Sequence, residues 1–340
     1  MKTVRLGRSG LLVTKPAMGC LPIQRCSQGE AVEILRAAYD GGIRYFDTAN
    51  AYTDSEEKIG SALSGVRENI VISTKSMARD GKTLLSHVEE SLRRLRTDYI
   101  DLFQFHLVKE PFGPESELYQ AALEAKERGL IRHIGVTAHN IAVAETLARS
   151  GMFETLQYPF SYLSNDREKA LVSLCGELDV GFIAMKGLAG GLLTNARACA
   201  AFMNAYPNAV PIWGVQTMEE LREWLALGEE DPDLDDELRA FIEKDAASLS
   251  GNFCRGCGYC LPCPAGIPIN NAARMDMLLR RSPWKQYMTP EWKEQMERIE
   301  NCLHCNRCVS RCPYELNTPE QLKRMLADYR QFYEEHAGML

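Results

Sequence analysis

Short apolar runs alternate with segments of helical period along most of this chain. A hairpin opens it, with Val4–Leu6, a turn over Gly7–Gly10, and Leu11–Val13. A repeating rhythm follows. Pro16–Gly19 precedes a helix over 28–40 that ends at the Gly41–Gly42 pair, a C-cap signature. Ile43–Phe46 precedes a helix near 54–64. Ile70–Lys75 precedes 82–96, where Leu85, Val88, Leu92 and Leu95 recur at helical spacing. Ile100–His106 leads to 115–128, closed by Gly129, and Ile131–Val136 leads to 140–149. A short strand at 155–158 leads to 166–177, Gly181–Lys186 to a weakly patterned stretch through 205, and Val210–Gly214 to Met218–Leu227.

Strands that alternate with helices imply a parallel sheet with right-handed crossovers. The count here is eight such units, the number that closes a (β/α)8 TIM barrel. An open doubly wound sheet is the competing layout. It would carry a Gly-x-Gly-x-x-Gly turn after the first strand, and residues 17–24 have none. The fold class expected is therefore α/β, a closed (β/α)8 barrel. After residue 228 the composition turns acidic (Gly228-Glu-Glu-Asp-Pro-Asp-Leu-Asp-Asp-Glu), which marks a boundary. The expected domains are a barrel over 1–228, a linker and connecting helix over 229–250, a cysteine-rich domain over 251–316 and a C-terminal helix over 317–340.

Active sites of such barrels lie at the C-terminal ends of the strands. Asp47, Lys75 and His106 each fall at such an end, on strands 2, 3 and 4, and Tyr52 lies in the loop after strand 2. Taken singly, each has an ordinary reading: a cap, a snorkelling lysine, a satisfied polar group. Together on successive strands they suit proton transfer. An unperturbed phenol titrates near ~10. A lysine ammonium close by favours the phenolate and is expected to lower the tyrosine pKa. An aspartate holds that lysine charged, and a histidine hydrogen-bonds the substrate oxygen or relays the proton. Such a set protonates a carbonyl oxygen as hydride reaches its carbon, or runs the reverse step.

Composition narrows the class. With 340 residues, 45% hydrophobic and a net charge of −7, the chain is an ordinary globular protein, and its mild acidity speaks against nucleic acid as a partner. Met1-Lys-Thr-Val-Arg-Leu-Gly shows no secretory signal. No apolar run approaches the ~18–20 residues that span a bilayer. A cytoplasmic protein without a membrane partner is expected. Of 12 cysteines, Cys20, Cys26, Cys175 and Cys199 are scattered and the rest crowd into 254–312, which reads as a metal site in a reducing compartment rather than a disulfide framework.

That cluster comprises Cys254-x2-Cys257-x2-Cys260-x2-Cys263-Pro264 and Cys302-x2-Cys305-x2-Cys308-x3-Cys312-Pro313. The second run matches the bacterial ferredoxin spacing, and the first differs by one residue in its last gap. Two four-cysteine zinc sites would also use eight thiolates, but two proline-capped runs of this spacing point to two [4Fe–4S] clusters. Ferredoxins of this kind exchange the fourth cysteine between clusters. One cluster would then take Cys254, Cys257, Cys260 and Cys312, and the other Cys302, Cys305, Cys308 and Cys263. The domain is expected to be mainly helical and ferredoxin-like.

Phe46-Asp47-Thr48-Ala49 with Tyr52, Ser73-Thr74-Lys75, His106, Ile134-Gly-Val-Thr137, Gln157-Tyr158 and Lys186-Gly-Leu-Ala-Gly-Gly-Leu-Leu193 resemble the aldo-keto reductases over roughly 1–227. The resemblance implies Tyr52 as general acid/base, Asp47 and Lys75 as its tuning partners, and His106 as substrate-orienting. It also implies NAD(P)H across the barrel mouth, contacted by Gly19, Thr137, Gln157, Met185, Leu188 and Gln216. Residues 185–190 and 214–223 would line the pyrophosphate and adenosine. The chain departs from the family at Met185, where an aromatic is usual, and at Thr137-Ala138-His139. After strand 8, Arg222 is the nearby base, among Glu219, Glu220 and Glu223. With its cysteine domain the chain resembles an iron–sulfur aldo/keto reductase group found chiefly in anaerobes.

The reading is an aldo/keto reductase-type oxidoreductase that acts on a small-molecule carbonyl or alcohol. Nicotinamide moves two electrons as hydride and each cluster moves one, so a flavin or radical intermediate would have to connect them. A redox protein partner for the clusters is part of this reading, and a structural role for them is the alternative. The competing class is an electron-transfer or ligand-sensing protein, ferredoxin-fed or non-catalytic, whose barrel uses no nicotinamide.

Overall fold

In a computed structural model the described residues are 1–249, 253–256, 258–281, 283–312, 314 and 316–339. Cys257 and Pro313 of the two cysteine motifs lie outside them. The chain divides into two compact units, one of residues 1–187 and 196–238, the other of 188–195 and 239–340.

The first unit opens with an antiparallel hairpin, β1 (Lys2–Arg5) and β2 (Leu12–Lys15), in which Lys2 pairs with Lys15 and Arg5 with Leu12. Eight strands and their helices follow: β3 (Ala17–Gly19), α1 (Gln28–Asp40), β4 (Tyr45–Asp47), α2 (Ser55–Leu63), β5 (Val71–Ser76), α3 (Gly81–Leu95), β6 (Ile100–Val108), α4 (Glu117–Glu127), β7 (Ile131–Ala138), α5 (Ile141–Arg149), β8 (Thr155–Pro159), α6 (Asp166–Glu177), β9 (Gly181–Met185), α7 (Ala196–Asn204), β10 (Ala209–Gly214) and α8 (Met218–Glu230). All eight strands β3–β10 pair in parallel, and β10 closes onto β3. The closed barrel expected from the strand-and-helix rhythm is the fold observed.

Local chemistry explains the boundaries. Ser27 and Glu30 form a capping box at α1, Asn165 and Glu168 at α6, and Thr217 and Glu220 at α8. Asp80, Ser116 and Asn140 cap α3, α4 and α5, each such cap adding about 1 kcal/mol. The poorly patterned stretch before residue 205 contains the helix α7, whose residues are nearly all buried. Four of its nine residues are alanine, so few large apolar side chains mark its face.

The hairpin closes one end of the barrel. Leu6 and Val13 are fully buried with Tyr45, Leu102, Ile183 and Val210. Gly7, at φ +54°, bridges to Val180, and a Cβ there would lie 2.1 Å from Gly181 N. The turn therefore requires glycine. With that floor at the strands' N-terminal ends, the mouth lies at their C-terminal ends.

Beyond α9 (Asp236–Ser248), the second unit holds α10 (Ile269–Ala272), α11 (Met275–Arg281), α12 (Pro290–Glu297), α13 (Arg307–Ser310) and α14 (Thr318–His336). Leu322, Met325, Leu326, Tyr329 and Phe332 give α14 its buried face. Arg280 grips Asp328 through two bonds of 2.7 and 2.6 Å, and Tyr329 Oη donates to Tyr287 O at 2.8 Å. Among the described residues no helix is long and apolar enough to cross a membrane.

Candidate active site

Asp47 ends β4 and stands in register with Gly19 on one side and Ser73 on the other; Lys75, near the end of β5, stands in register with Gln104. Adjacent parallel strands thus bring the acid and the base together. Lys75 Nζ donates to Asp47 Oδ2 at 2.6 Å and to Thr48 O at 2.5 Å. Ser73 Oγ donates to Asp47 Oδ1 at 2.6 Å, and Gln104 Nε2 does so at 3.3 Å. Both oxygens of the carboxylate are engaged, so Asp47 holds its neighbours in place.

Tyr52 lies with its ring centroid 5.4 Å from Lys75 Nζ and 5.8 Å from the His106 ring, which it meets edge-on at 80°. Its loop is tied down at several points. Asn50 N donates to Lys75 O at 3.0 Å, and Arg94 Nη1 donates to Asn50 O at 3.2 Å. Arg94 also pairs with Glu90 at 2.8 Å and with buried Glu56 at 3.5 Å, while Thr74 Oγ1 donates to Glu56 at 2.6 Å. This support behind Tyr52 escaped the sequence reading. Glu56 looks there like one more first-turn acid of α2, and only the packing of α2 on α3 reveals its partner.

Burial acts on Tyr52, Lys75 and His106 alike. It pushes the Tyr52 phenol up, and Lys75 pulls it back only in part, so the net direction is upward. This corrects the expectation of a lowered phenol: the ammonium's charge is already matched by Asp47, and desolvation of the phenolate prevails. Burial pushes Lys75 down, but Asp47 and Tyr52 more than offset it, and the ammonium is held above its usual value. His106 is pushed down to about 3 by burial and by Lys75, so it stands neutral. Its Nδ1 is buried with no hydrogen-bond partner among the described residues. A neutral ring with an open nitrogen suits a ligand oxygen, since leaving such an atom unsatisfied costs about 1–3 kcal/mol. His139 is likewise pushed well below its usual value by burial, Lys186 and His106. Burial raises the Cys20 thiol, which stays protonated and donates to Met18 O at 3.8 Å.

Backbone strain gathers at the same rim. Thr53, Leu107 and Lys186, which follow Tyr52, His106 and Met185, adopt φ of +36°, +66° and +57°. Non-glycine residues in that region cost energy and recur at functional sites.

Of the residues expected to hold a cofactor, Thr137 and Gln157 face each other in register across β7 and β8, both buried. Thr137 Oγ1 accepts from Leu107 N at 2.7 Å, and Gln157 Oε1 accepts from Gln104 Nε2 at 3.0 Å. Each side chain thereby keeps a donor, the Thr137 hydroxyl and the Gln157 amide, and the pair fits a carboxamide. Gly19 ends β3, where a Cβ would sit 3.2 Å from Ile212 O, and Met185 ends β9 half-buried. Gln216 follows β10; its N donates to Glu220 Oε2 at 2.8 Å, and its Oε1 accepts from Arg25 Nη1 at 3.2 Å. Arg25 was invisible in the sequence because only closure of β10 on β3 brings residue 25 beside residue 216. Leu188 belongs to the second compact unit.

In that unit one cavity is lined by Cys260, Cys263, Cys302, Cys305 and Cys308, together with Pro264, Ile267, Leu303 and Leu322. Thiols of both runs therefore line one cavity, where Cys260 and Cys263 stand with the three cysteines of the second run beside Asn306 and Arg307. That donor set fits an iron–sulfur cluster. Cys254 is buried, and Gly256 N donates to its Sγ at 3.4 Å; Cys312 is half-buried. Among the described residues no three His, Cys, Asp or Glu side chains close on a single metal ion.

The barrel carries this set at its mouth, and a cysteine-rich unit follows it in the chain. The aldo/keto reductase family model matches residues 18–201, and the chain belongs to that family. A 4Fe-4S dicluster domain model matches 253–317. The chain is 33% identical to aldo-keto reductase YhdN of Bacillus subtilis over 179 residues, 48% of this chain and 54% of that protein. It is 29% identical to aldo-keto reductase AFTS1 of Alternaria alternata over 240 residues, 56% of this chain and 65% of that protein. It thus spans between half and two thirds of these relatives. Among solved structures, the aldo/keto reductase of Klebsiella pneumoniae in complex with NADP and acetate superposes with a TM-score of 0.63 at 25% identity, over 72% of this chain and 94% of that one. The holo form of a Bacillus halodurans aldo-keto reductase shares the fold, with a TM-score of 0.63 at 24% identity over 72% and 96%.

Proposed function

We propose that the chain interconverts a small-molecule carbonyl and its alcohol with a nicotinamide cofactor, and that Tyr52 moves the proton. The observation that carries this is the buried Lys75–Asp47 pair beside Tyr52 and neutral His106. When bound, the nicotinamide supplies or accepts the hydride. His106, held neutral by burial, hydrogen-bonds the substrate oxygen and orients it toward the phenol. Tyr52 gives its proton to that oxygen during reduction and takes it back during oxidation. Lys75 stabilises the phenolate left behind, and Asp47 keeps Lys75 charged and in place. Thr137 and Gln157 would hold the carboxamide.

Two [4Fe–4S] clusters would be held by Cys254, Cys257, Cys260 and Cys312, and by Cys302, Cys305, Cys308 and Cys263; Cys257 lies outside the described residues. When loaded they supply one-electron transfer, with a redox protein as outside partner and a flavin as the link to two-electron chemistry. A reducing, cytoplasmic setting, as in anaerobes, suits so many thiolates.

The test is anaerobic purification, iron and sulfide assay, and titration with NADH and NADPH. A band near ~400 nm with about eight irons per chain is expected, with oxidation of the nucleotide by a panel of aldehydes and ketones. If neither nucleotide binds, the nicotinamide reading falls. The second reading, a ligand-sensing or ferredoxin-fed electron-transfer protein, is favoured by one contact. Glu220 Oε2 takes the N–H groups of Gln216 and Thr217, donors on the segment proposed for the nucleotide. Intact clusters without binding of either nucleotide would select it.

A further inference from the structure

Two arginines of the second unit hold the segment 188–195. Arg274 Nη1 donates to Ala189 O at 3.3 Å, and Arg281 Nη1 donates to Leu192 O at 3.1 Å. The segment itself is a tight turn in which Gly191 N and Leu193 N both donate to Leu188 O, at 2.9 and 3.2 Å. Ala189, Gly190 and Gly191 adopt φ of +48°, +71° and +90°. The two glycines take this backbone freely, whereas Ala189 holds it only when surrounding contacts impose it.

The two tethers differ in what stands behind them. Arg281 is anchored by an ion pair to Asp245. Arg274 is more than nine-tenths buried, and its guanidinium lies against two glycines. A Cβ on Gly190 would come within 2.6 Å of Nη1, and one on Gly256 within 2.8 Å of Cζ. Gly256 has φ +67° and sits between Cys254 and Cys257, with its N–H on Cys254 Sγ. One wall around the Arg274 guanidinium is therefore Gly256 of the first cysteine run.

We infer that Arg274 is a positioning residue that makes the order of segment 188–195 depend on the iron–sulfur cluster held by the first cysteine run. With Cys254 and Cys257 ligated, the backbone at Gly256 is fixed and the guanidinium is confined against Ala189 and Gly190. Without iron the cysteine loop relaxes, the guanidinium loses that wall, and the turn at 189–191 is left to Arg281 alone. Cluster loading thereby sets the order of the segment that leaves β9 and returns at α7. The inference rests on the cysteines being cluster ligands.

Hydrogen exchange of the 188–195 peptide tests it in the full chain, with the 131–138 peptide of β7 as internal reference and iron measured on the same samples. In the loaded protein the segment is protected, and anaerobic iron chelation raises its exchange about tenfold or more while β7 stays protected. Loaded R274A, and loaded Gly190→Ala, which keeps the arginine but fills its space, exchange fast with iron content unchanged and respond no further to chelation. Loaded R281A exchanges faster too, yet retains its response to iron. A wild-type segment indifferent to chelation, or a Gly190→Ala segment as protected as wild type, overturns the inference. An iron-free wild-type protein removes the cluster reading beneath it, and the iron assay reports that separately.

Discussion

Lys75 Nζ stands 2.6 Å from Asp47 Oδ2, with side-chain exposures of 1% and 3%, so the two charges beside Tyr52 are matched to each other and closed to water. Removing one partner leaves a buried, unmatched charge, which costs about 3–5 kcal/mol. Lys75→Met should therefore destabilise the barrel by that order in urea unfolding at neutral pH. The double variant with Asp47→Asn should lose less than the sum of the two singles, because it leaves no lone charge. The raised Lys75 pKa adds a sign. Its stabilising share is complete below 10.5, the unfolded value, and is lost as pH rises through the higher folded value. Unfolding measured up to about pH 9 should not reveal it.

Tyr52→Phe removes the proposed proton donor and little else, since the ring's edge-on contact with His106 survives. Carbonyl reduction should fall about 10²–10⁴-fold with the melting temperature and iron content unchanged. The upward shift of the phenol decides the pH profile of the wild type. Reduction needs the protonated phenol and should stay flat through neutral pH, declining only on the alkaline side. Alcohol oxidation needs the phenolate and should climb steadily toward alkaline pH. Identical profiles in the two directions would count against a proton held at Tyr52.

His106 titrates far from its ordinary value, near 3 instead of 6.5. Between those values the unfolded chain binds a proton that the native chain refuses, so stability falls as pH drops from 6.5 toward 3 and levels off below. His106→Gln should remove up to about 1.4 kcal/mol per pH unit of that slope. His139, shifted in the same direction, accounts for part of what is left. Denaturant midpoints taken across this range read the difference directly. For the same reason kcat/KM should show no limb near 6.5.

Cys263 shares its cavity with Cys302, Cys305 and Cys308 of the other run. If that sharing is ligation, Cys263→Ser disables the cluster of the second run rather than that of its own. Iron should drop from about eight to about four per chain. Cys312→Ser should leave a similar count but spare the other cluster, so the two variants should differ in electron paramagnetic resonance. Cys263→Ser should leave the same residual signal as Cys305→Ser; the residual signal of Cys260→Ser instead would mean uncrossed ligation.

Much of this architecture is legible in the sequence because a parallel barrel repeats one instruction. Each of β4, β5 and β6 is a buried apolar run, so an ionisable residue at its end, as at Asp47, Lys75 and His106, stands out. The ferredoxin spacing of 302–312 is equally plain. What the sequence hides depends on closure or on desolvation. Arg25 meets Gln216 only because β10 returns to β3. Arg94 and Glu56 become support for Tyr52 only when α2 packs on α3. The sign of the Tyr52 shift inverts because the sequence displays a neighbouring charge but not the water lost around the phenol. The helix α7 escapes because alanine supplies four of its nine residues, so few large apolar side chains mark its face.

Nucleotide choice turns on Glu220. Its carboxylate accepts from Gln216 N at 2.8 Å and Thr217 N at 3.2 Å, so the donors at the start of α8 already serve a negative charge. Glu219 and Glu223 stand on either side of it. A 2′-phosphate brought there would meet carboxylates first; at about 4 Å and an effective dielectric near 20, each like-charge pair costs about 4 kcal/mol before salt screening. Arg25, exposed and on Gln216 Oε1, is the base at hand to offset that. The wild type should therefore bind NADH at least as tightly as NADPH. Glu220→Gln should lower the Kd for NADPH about tenfold while changing that for NADH far less, and Arg25→Ala should weaken NADPH more than NADH. Fluorescence titration of each variant with both nucleotides gives the ratio. A ratio unmoved by Glu220→Gln would place the adenosine end away from α8, and with it the assignment of Gln216 to the cofactor would fall.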